Sequence, residues 1–551
     1  MVVALVTAIA TLLSRRARHV QRLTSVLGSL VYLLAVAIIL QQIRQSGPQA
    51  YQLSNWPAPF GITLVADELA AFFLGLTAVV SLAAVVFSVF YVDDFGQRVS
   101  YHPLYHLMLV GVTGSFLTGD IFNLFVWFEV MLMPSYVFVA FYSQREHTSA
   151  ALKYVVLNLI GSAIMLVAIG GLYATTGTLN MADMARRLAS AGEFGIAPAP
   201  VLGLAALLFS VFALKAGIVP FQFWVPSAYR AAPAPISAVL AGITKKVGIY
   251  AIIRLFFTVF AAGTLPSGLG LGFAGDSFLG FFGPVFFLMA AGSIILGGLG
   301  AVVQDDVDGM LAHSSIGQVG FIVLPLAIAA TAPSESIRVL GIAAALVYAL
   351  NHAVAKSLLF LVSGSIYRGV GSIQFDDLGG LTGRAPVLSG SFFVGGLALV
   401  GIPPLSGFFG KLLVFDTAGQ TLADGGSGGM LALAVALGGA ILTIAYTSRA
   451  WNRGFWGTES ERVAEASQPL ALVAIVAVLA STLVLIGVGF EPIFTAARAA
   501  AEAALDTGGY VDLVDPTTVS DVAAERGGSS AEHALSLARK MDLSATLEVM
   551  G

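Results

Sequence analysis

Long apolar runs recur along almost the whole chain and constrain its fold more than any other feature. A helix needs about 20 mostly apolar residues to cross the hydrocarbon core of a membrane. Reading for such runs gives about fourteen candidates, at 2–14, 24–43, 66–92, 104–119, 121–142, 151–175, 201–226, 235–261, 280–303, 310–331, 337–367, 385–420, 430–452 and 468–490. We therefore predict an all-α polytopic membrane protein.

The scarcity of charge supports this class and excludes others. Charged residues make up 11% of the 551 residues and hydrophobic residues 57%, whereas a soluble domain is about 25% charged. Such a chain cannot cover a water-facing surface, which argues against a soluble enzyme, a disordered chain and nucleic-acid binding. The sequence has no cysteine, nucleotide-binding loop, HExxH motif or nucleophile elbow, so we expect no cofactor. It leaves open whether a metal ion binds.

The distribution of Lys and Arg between the loops predicts the orientation, because cytoplasmic loops are enriched in them. With the N-terminus outside, the inner loops hold Arg15, Arg16, Arg18, Arg22, Arg98, Arg145, Lys153, Arg230, Arg368, Arg384, Arg449, Arg453 and Arg462. The outer loops before the tail hold Arg44, Arg186, Arg187 and Arg338. The bias predicts an even number of helices and both termini outside. Residues 493–505 are typical of an amphipathic surface helix, and a polar tail of unknown role follows.

Two hydrophobic runs are interrupted by glycine and proline at 217–220 and 401–404, each with a lysine nearby. Interrupted helices at matching positions in two halves of a chain indicate an inverted-repeat transporter. This signal is weak by itself, since both residues are common in membrane helices.

A few ionisable residues lie inside the apolar runs, where a charge costs at least about 2.5–3.5 kcal/mol at a helix centre. Lys215 lies two residues before the first break and is a candidate proton carrier, because burial changes the proton affinity of an amine. Glu129 is a candidate carboxylate that modulates a lysine, and the alternative is an ion pair that only locks two helices. Lys411 follows the second break as Lys215 precedes the first.

Two further groups complete the set. Lys245 and Lys246 are adjacent, so they point about 100° apart and cannot both face one pathway. His352 and Lys356 are four residues apart on one helix face and form a plausible relay. His313 begins another run and is a weaker candidate near an interface. Together these residues are typical of a proton or cation pathway.

Six segments resemble a known family, the antiporter-like subunits of respiratory complex I, and most of all the D-type subunits of Mrp-type multisubunit sodium/proton antiporters. The resemblance covers roughly residues 60–455. The segments are TGDIFNLFVWFEVMLMPSY (118–136), ALKAGIVPFQFWVPSAY (213–229), PISAVLAGITKKVGIYAIIR (235–254), LAHSSIGQVGF (311–321), LNHAVAKSLLFLVSGSIY (350–367) and GIPPLSGFFGK (401–411).

The resemblance implies fourteen helices, two inverted five-helix repeats, and broken helices seven and twelve. The implied units are N-terminal helices at 1–103, the repeats at 104–261 and 262–452, helix fourteen at 453–490, and a C-terminal amphipathic and polar tail at 491–551. The family's pathway residues correspond to Glu129, Lys215, Lys246, His352, Lys356 and Lys411. Lys245 takes a position that is more often neutral in the family, and His313 one where we expect tyrosine.

The function implied is exchange of Na⁺ or Li⁺ for H⁺, driven by the proton motive force, in a bacterial plasma membrane. The expected partners are the A, B, C, E, F and G type subunits of the complex, the two ions and the lipid bilayer. One alternative is a proton-pumping subunit of a complex I relative or a membrane-bound hydrogenase. Another is a scaffold subunit whose polar residues only hold helices together.

Overall fold

The structure is a computed structural model that describes residues 1–265, 277–467 and 469–515. The predicted polar tail from residue 516 onward lies outside the described residues. Within the described part, eleven helices are long and apolar enough to cross a membrane. The chain is therefore a predominantly helical, multi-pass membrane protein.

The helices are numbered in chain order. The first group comprises α1 (Val2–Leu13), α2 (Arg18–Ser46), α3 (Glu68–Tyr91), α4 (Asp94–Gly96), α5 (His102–Leu117), α6 (Ile121–Val139), α7 (Arg145–Thr176), α8 (Met181–Ala189) and α9 (Pro198–Ala216). After the first break come α10 (Val225–Ala231), α11 (Ala234–Val239), α12 (Lys245–Ile252), α13 (Phe278–Val302), α14 (Val307–Thr331), α15 (Glu335–Val370), α16 (Leu381–Arg384) and α17 (Pro386–Val400). The last group comprises α18 (Ser406–Ala423), α19 (Ser427–Ala450), α20 (Glu461–Ala464), α21 (Leu470–Val488), α22 (Phe490–Leu505) and α23 (Thr507–Val514).

A small β-hairpin corrects the all-α expectation. Strands β1 (Gln49–Gln52) and β2 (Thr63–Ala66) pair antiparallel between α2 and α3, with Gln49 opposite Ala66. The hairpin connects the end of α2 to the start of α3. Its strands pair with each other and so give hydrogen-bond partners to backbone N–H and C=O groups that lie outside the helices. A strand of four residues is too short to show a clear alternation of apolar and polar side chains. The sequence therefore did not predict the hairpin.

Three helical segments form the centre of the molecule. The apolar stretches of Ala234–Ala262, α14 and α15 are 100%, 94% and 83% buried, against 22% for α2. A helix that is apolar all round and buried all round belongs to the core, whereas α2 leaves most of its surface exposed. The central helices carry most of the intramembrane charges predicted from the sequence.

The segment Ala234–Ala262 is not a regular α-helix. π-helical turns at Leu240–Thr244 and Ile253–Val259 flank α12, and the 3₁₀ turn Phe260–Ala262 ends it. A π-turn widens the helix by one residue, frees a carbonyl group and rotates the residues that follow; such turns are frequent at functional sites. This irregularity directly precedes the two adjacent lysines.

One end of the helix bundle is rich in arginine, and its loops are tied by ion pairs. Arg230 of α10 forms an ion pair with Asp306, the residue directly before α14. Hydrogen bonds from Arg453 and Arg449 lower the pKa of Asp305 in the loop before α14. Because Asp305 is exposed, these contacts contribute little to stability. We refer to this end as the arginine-rich end.

The opposite end is closed by the C-terminal helices. Arg254 and Asp67, both buried, form an ion pair of 2.5 Å between the end of Ala234–Ala262 and the start of α3. The predicted amphipathic segment 493–505 lies within α22, which packs on α3 and α15. Thr258 donates to the carbonyl oxygen of Ala504 at 2.8 Å, which fastens α22 to the central segment.

Candidate functional site

Most of the predicted pathway residues lie buried in the middle of the helix bundle. We call six of them the lysine row: Glu129 of α6, Lys215 of α9, Lys246 of α12, His352 and Lys356 of α15, and Lys411 of α18. Lys245, also on α12, is adjacent to the row. Relative exposure is 1% for Lys215, 0% for Lys245, Lys246, His352 and Lys356, and 4% for Lys411, while Glu129 is half-buried. The helices that carry them are separate in sequence, so only the tertiary fold brings them together.

Lys215 lies in the last turn of α9, which ends because Gly217 adopts a left-handed conformation (φ 68°). Its ammonium group donates to the hydroxyl of Tyr154 on α7 at 3.3 Å. It also lies 5.9 Å from the centre of the Phe128 ring. A cation at this position is stabilised by the carbonyl end of the helix dipole and by the aromatic faces.

Glu129 lies on α6 at the edge of the row. Its carboxylate accepts a hydrogen bond from the hydroxyl of Ser162 on α7. None of the ion pairs among the described residues involves Glu129 or Lys215. An electrostatic pairing of the two groups without direct contact stays a prediction.

Lys245 faces the first helix break. A Cβ atom added to Gly217 would lie 3.0 Å from its ammonium nitrogen, so the break leaves space for this side chain. The ammonium group lies 5.5 Å from the centre of the Tyr229 ring. Among the described residues it has no hydrogen-bond partner.

Lys246 points to the other side and contacts α15. Its Nζ lies 2.5 Å from Nδ1 of His352, and it donates to the carbonyl oxygen of Ala241 at 2.9 Å. Ala241 belongs to the π-helical turn, whose irregular hydrogen bonding leaves this carbonyl available. The contact between Lys246 and His352 joins the part of the row near the first break to the part near the second.

The row continues on α15 with Lys356, one helical turn beyond His352. Lys356 donates to the carbonyl oxygen of Leu311 at 2.9 Å and to the hydroxyl of Ser314. One turn before His352, the hydroxyl of Tyr348 donates to the side chain of Gln318. Residues at this spacing share one helix face, so α15 presents three polar side chains in line.

Lys411 lies in α18, after the second break. It donates to the carbonyl oxygen of Val400 at 3.1 Å, and its ammonium group lies 4.8 Å from the centre of the Phe321 ring. The Phe321 and Tyr348 rings are 5.5 Å apart, which connects this lysine to the polar face of α15.

The structure separates His313 from the row. Its Nδ1 lies 3.0 Å from the carbonyl oxygen of Gly309, one turn earlier on α14, and its ring packs against Gly300 of α13. Sequence reasoning missed Tyr154, Tyr229 and Tyr348, which contact the lysines or lie between them. Buried tyrosines in an apolar run look like core residues, and only their hydroxyl partners distinguish them.

The row is basic, and its charges are not balanced locally. None of the ion pairs in the described part of the chain includes one of these lysines. Lys246 and His352, whose nitrogens are in contact, exchange protons as a coupled pair rather than independently. Within the same part of the chain, no cluster of three or more histidine or acidic side chains could hold a metal ion.

The fold and the row define a multi-pass membrane protein with a line of buried basic side chains through its centre. The sequence matches the family described as "NADH:quinone oxidoreductase/Mrp antiporter, TM" over residues 118–432. It is 34% identical over 503 residues to the D-type subunit of the Na⁺/H⁺ antiporter of Alkalihalophilus pseudofirmus, covering 90% of this chain and 95% of the relative. The chain belongs to the NADH:quinone oxidoreductase/Mrp antiporter family, which confirms the predicted resemblance to the D-type subunits.

Solved structures show the same fold. A chain in the Mrp complex from Dietzia sp. DQ12-45-1b superimposes with a TM-score of 0.78 at 25% identity, covering 93% of this chain and 100% of that chain. A chain of the membrane-bound sulfane sulfur reductase, an archaeal respiratory membrane complex, superimposes with a TM-score of 0.81 at 28% identity, covering 93% and 98%. The fold is thus shared by an antiporter complex and a respiratory complex.

Proposed function

We propose that this chain is the proton-translocating subunit of a multisubunit antiporter that exchanges Na⁺ or Li⁺ for H⁺ and is a transporter subunit rather than an enzyme. The lysine row is the observation that carries this proposal. Isolated buried ammonium groups are costly in a membrane and mark ion or proton paths. The similarity to the D-type subunit of an antiporter supports the same function.

In the proposed architecture the chain crosses the membrane fourteen times, with both termini outside. The N-terminal helices occupy 1–103, the two inverted repeats 104–261 and 262–452, helix fourteen 453–490 and the tail 491–551. The breaks after α9 and α17 would lie at matching positions of the two repeats. The arginine-rich end would then face the cytoplasm of a bacterial cell, as the positive-inside rule requires.

The proposed mechanism moves protons along the row by coupled protonation. A proton that arrives at one amine raises the electrostatic energy of a proton on its neighbour, so occupancy passes along the line. Lys246 and His352 would transfer the proton between the two halves, since their nitrogens are 2.5 Å apart. Glu129 and Lys215 would form one end of the path and Lys411 the other.

The proposed partners are the A, B, C, E, F and G type subunits of an Mrp-type complex. The named relative is itself a subunit, and the Dietzia sp. structure is of a complex. Glu129 is half-buried at the edge of the row, where a neighbouring subunit could cover it. The Na⁺ path would then lie in part outside this chain.

The alternative is the membrane subunit of a redox-driven proton pump. The likeness to a chain of the sulfane sulfur reductase complex favours it, since that complex is respiratory. In that case the same row would carry protons, and the energy would come from electron transfer in partner subunits.

Flux measurements on the intact complex distinguish the two. We expect the complex, reconstituted in vesicles without electron donors, to couple ²²Na⁺ movement to an imposed pH gradient. Vesicles that hold this subunit alone are the comparison for whether partners are required. Absence of sodium-coupled proton flux, together with proton pumping on addition of an electron donor, would contradict antiport and favour the alternative.

A further inference from the structure

A polar cavity at the arginine-rich end lies next to the lysine row but outside it. Its volume is about 460 Å³, and we call it the vestibule. Asp308 of α14 and Ser363 of α15 line it, and Phe360 and Ser237 form part of its wall. None of these residues belongs to the predicted pathway.

Asp308 is a carboxylate that can accept a proton in the vestibule. Its carboxylate accepts a hydrogen bond from the hydroxyl of Ser363 at 2.5 Å and forms no ion pair in the described part of the chain. The two arginines that also line the vestibule have other partners. Arg230 forms an ion pair with Asp306, two residues before Asp308. Arg368 donates to the carbonyl oxygen of Tyr91.

Other titratable groups face the same space from neighbouring elements. Asp93, between α3 and α4, and His147, in the first turn of α7, both line the vestibule. With Asp308 and the two arginines they give the cavity both signs of charge. A cavity of mixed charge holds water readily, and water carries protons between such groups.

Two aromatic rings separate the vestibule from Lys245. Phe360 contacts Tyr229 edge to face, with ring centres 5.4 Å apart. The Tyr229 ring centre lies in turn 5.5 Å from the Lys245 ammonium nitrogen. The Tyr229 hydroxyl and the Lys245 ammonium are both buried and have no hydrogen-bond partner among the described residues.

The two adjacent lysines thus face different surroundings. Lys246 contacts His352 and belongs to the continuous row. Lys245 points about 100° away, as consecutive helical residues must, and faces Tyr229 and the helix break. Two neighbouring ammonium groups with separate surroundings can serve two separate transfers.

We propose that Lys245 exchanges protons with the solution at the arginine-rich end through the vestibule, with Tyr229 as the gate and Asp308 as the proton acceptor. This rests on the proposed proton transport by the row. A proton leaves the Lys245 ammonium, passes by the Tyr229 hydroxyl and water to the Asp308 carboxylate, and is released to the solution. Lys245 is left as a neutral amine that can accept the next proton from the row.

Cysteine labelling in the intact complex tests whether the vestibule is open to water. The chain has no native cysteine, so Ser363→Cys introduces one thiol into this chain. We expect a membrane-impermeant maleimide to label it only from the arginine-rich side and to inhibit Na⁺/H⁺ exchange. Thr458→Cys, exposed at the same end but outside the vestibule, should be labelled without inhibition.

Chemical rescue tests the role of Asp308. We expect Asp308→Ala to lower exchange by about a hundredfold, in the range of one proton-transfer group. Millimolar formate on the arginine-rich side should restore much of the rate, because a small carboxylate can carry the proton in its place. Wild type with the same formate, and Asp376→Ala in an exposed loop at the same end, are the controls.

The outcomes separate this proposal from the proposed function. Sodium-coupled exchange in wild type, with Ser363→Cys unlabelled or Asp308→Ala fully active, would overturn the vestibule proposal and leave antiport standing. A loss in Asp308→Ala that formate does not restore, in a complex that assembles normally, would also overturn it. No exchange in wild type would instead refute the proposed function.

Discussion

Lys215 and Lys411 occupy the two helix breaks, and their ammonium groups are held in different ways. Lys215 lies in the last turn of α9 and donates to the hydroxyl of Tyr154 at 3.3 Å. Lys411 lies in α18, beyond the break, and reaches back to the carbonyl oxygen of Val400 at 3.1 Å. The ammonium group of Lys411 thus meets the carbonyl end of the half-helix before its break, where partial negative charge collects, whereas that of Lys215 meets a side-chain hydroxyl.

The difference between the partners has a chemical consequence. A tyrosine hydroxyl donates as well as accepts, so the bond between Lys215 and Tyr154 can reverse when the lysine loses its proton. The hydroxyl of Ser135 lies 3.1 Å from that of Tyr154 and extends this hydrogen-bonded chain. The carbonyl oxygen of Val400 only accepts, which suits a group that holds a proton at the end of a path.

Removing the amine at the first break should have the largest effect. We expect Lys215→Ala to reduce exchange by at least about a hundredfold, because it removes the proton-carrying group that contacts Tyr154. A pH-sensitive dye and ²²Na⁺ flux in vesicles with the complete complex measure this. Lys153→Ala, exposed on α7, is the matched control and should retain the wild-type rate.

Exchanging the amines for carboxyl groups should separate the two breaks. We expect Lys411→Glu to retain part of the exchange, because a protonated carboxyl can donate to the carbonyl oxygen of Val400. We expect Lys215→Glu to lose it, because a second carboxyl would be added to the part of the row that already has Glu129. Equal rates for the two variants in the same flux assay would remove the distinction between the breaks.

Glu129 should have an intermediate effect. We expect Glu129→Gln to slow exchange about tenfold, equivalent to about 1.4 kcal/mol, because its half-buried charge acts on the row through a partly screened field. Glu146→Gln, exposed in the first turn of α7, is the control. If Glu129→Gln exchanges at the wild-type rate, the carboxylate only accepts the hydrogen bond from Ser162 and its charge has no role in exchange.

The hydroxyl of Tyr154 should have the smallest effect. Hydrogen bonds to charged groups contribute about 1.5–3 kcal/mol, but water can replace part of this one, so we expect Tyr154→Phe to slow exchange about tenfold or less. The control is Tyr173→Phe, on the exposed side of the same helix. If Tyr154→Phe has no effect, the hydroxyl is not the feature that distinguishes Lys215 from Lys411.

Much of the membrane architecture could be predicted from the sequence because apolar runs report directly on burial in lipid. The same scarcity of charge made each buried lysine visible. Helical geometry left the choice between Lys245 and Lys246 open, and the family resemblance favoured Lys246. The π-helical turn at Leu240–Thr244, which directly precedes both lysines, was not predicted. Only the packing of the central segment against α15 places Lys246 next to His352.

Other features depended on tertiary contacts that leave no local pattern. Arg254 is buried and paired with Asp67, which is far away in sequence. Asp308 lies in the first turn of α14, where acidic residues are common, yet it lines a cavity. Neither the ion pair between Arg254 and Asp67 nor the cavity beside Asp308 could be predicted from the spacing of residues in the sequence.

The central claim is that the two breaks belong to one continuous proton path. His352 tests it most directly, because its Nδ1 lies 2.5 Å from Lys246 and it belongs to neither break. The measurement is ²²Na⁺/H⁺ exchange by the complete complex carrying His352→Ala, normalised to the assembled protein. The account predicts loss of exchange with Lys215 and Lys411 intact, and a wild-type rate would show that the two halves work independently.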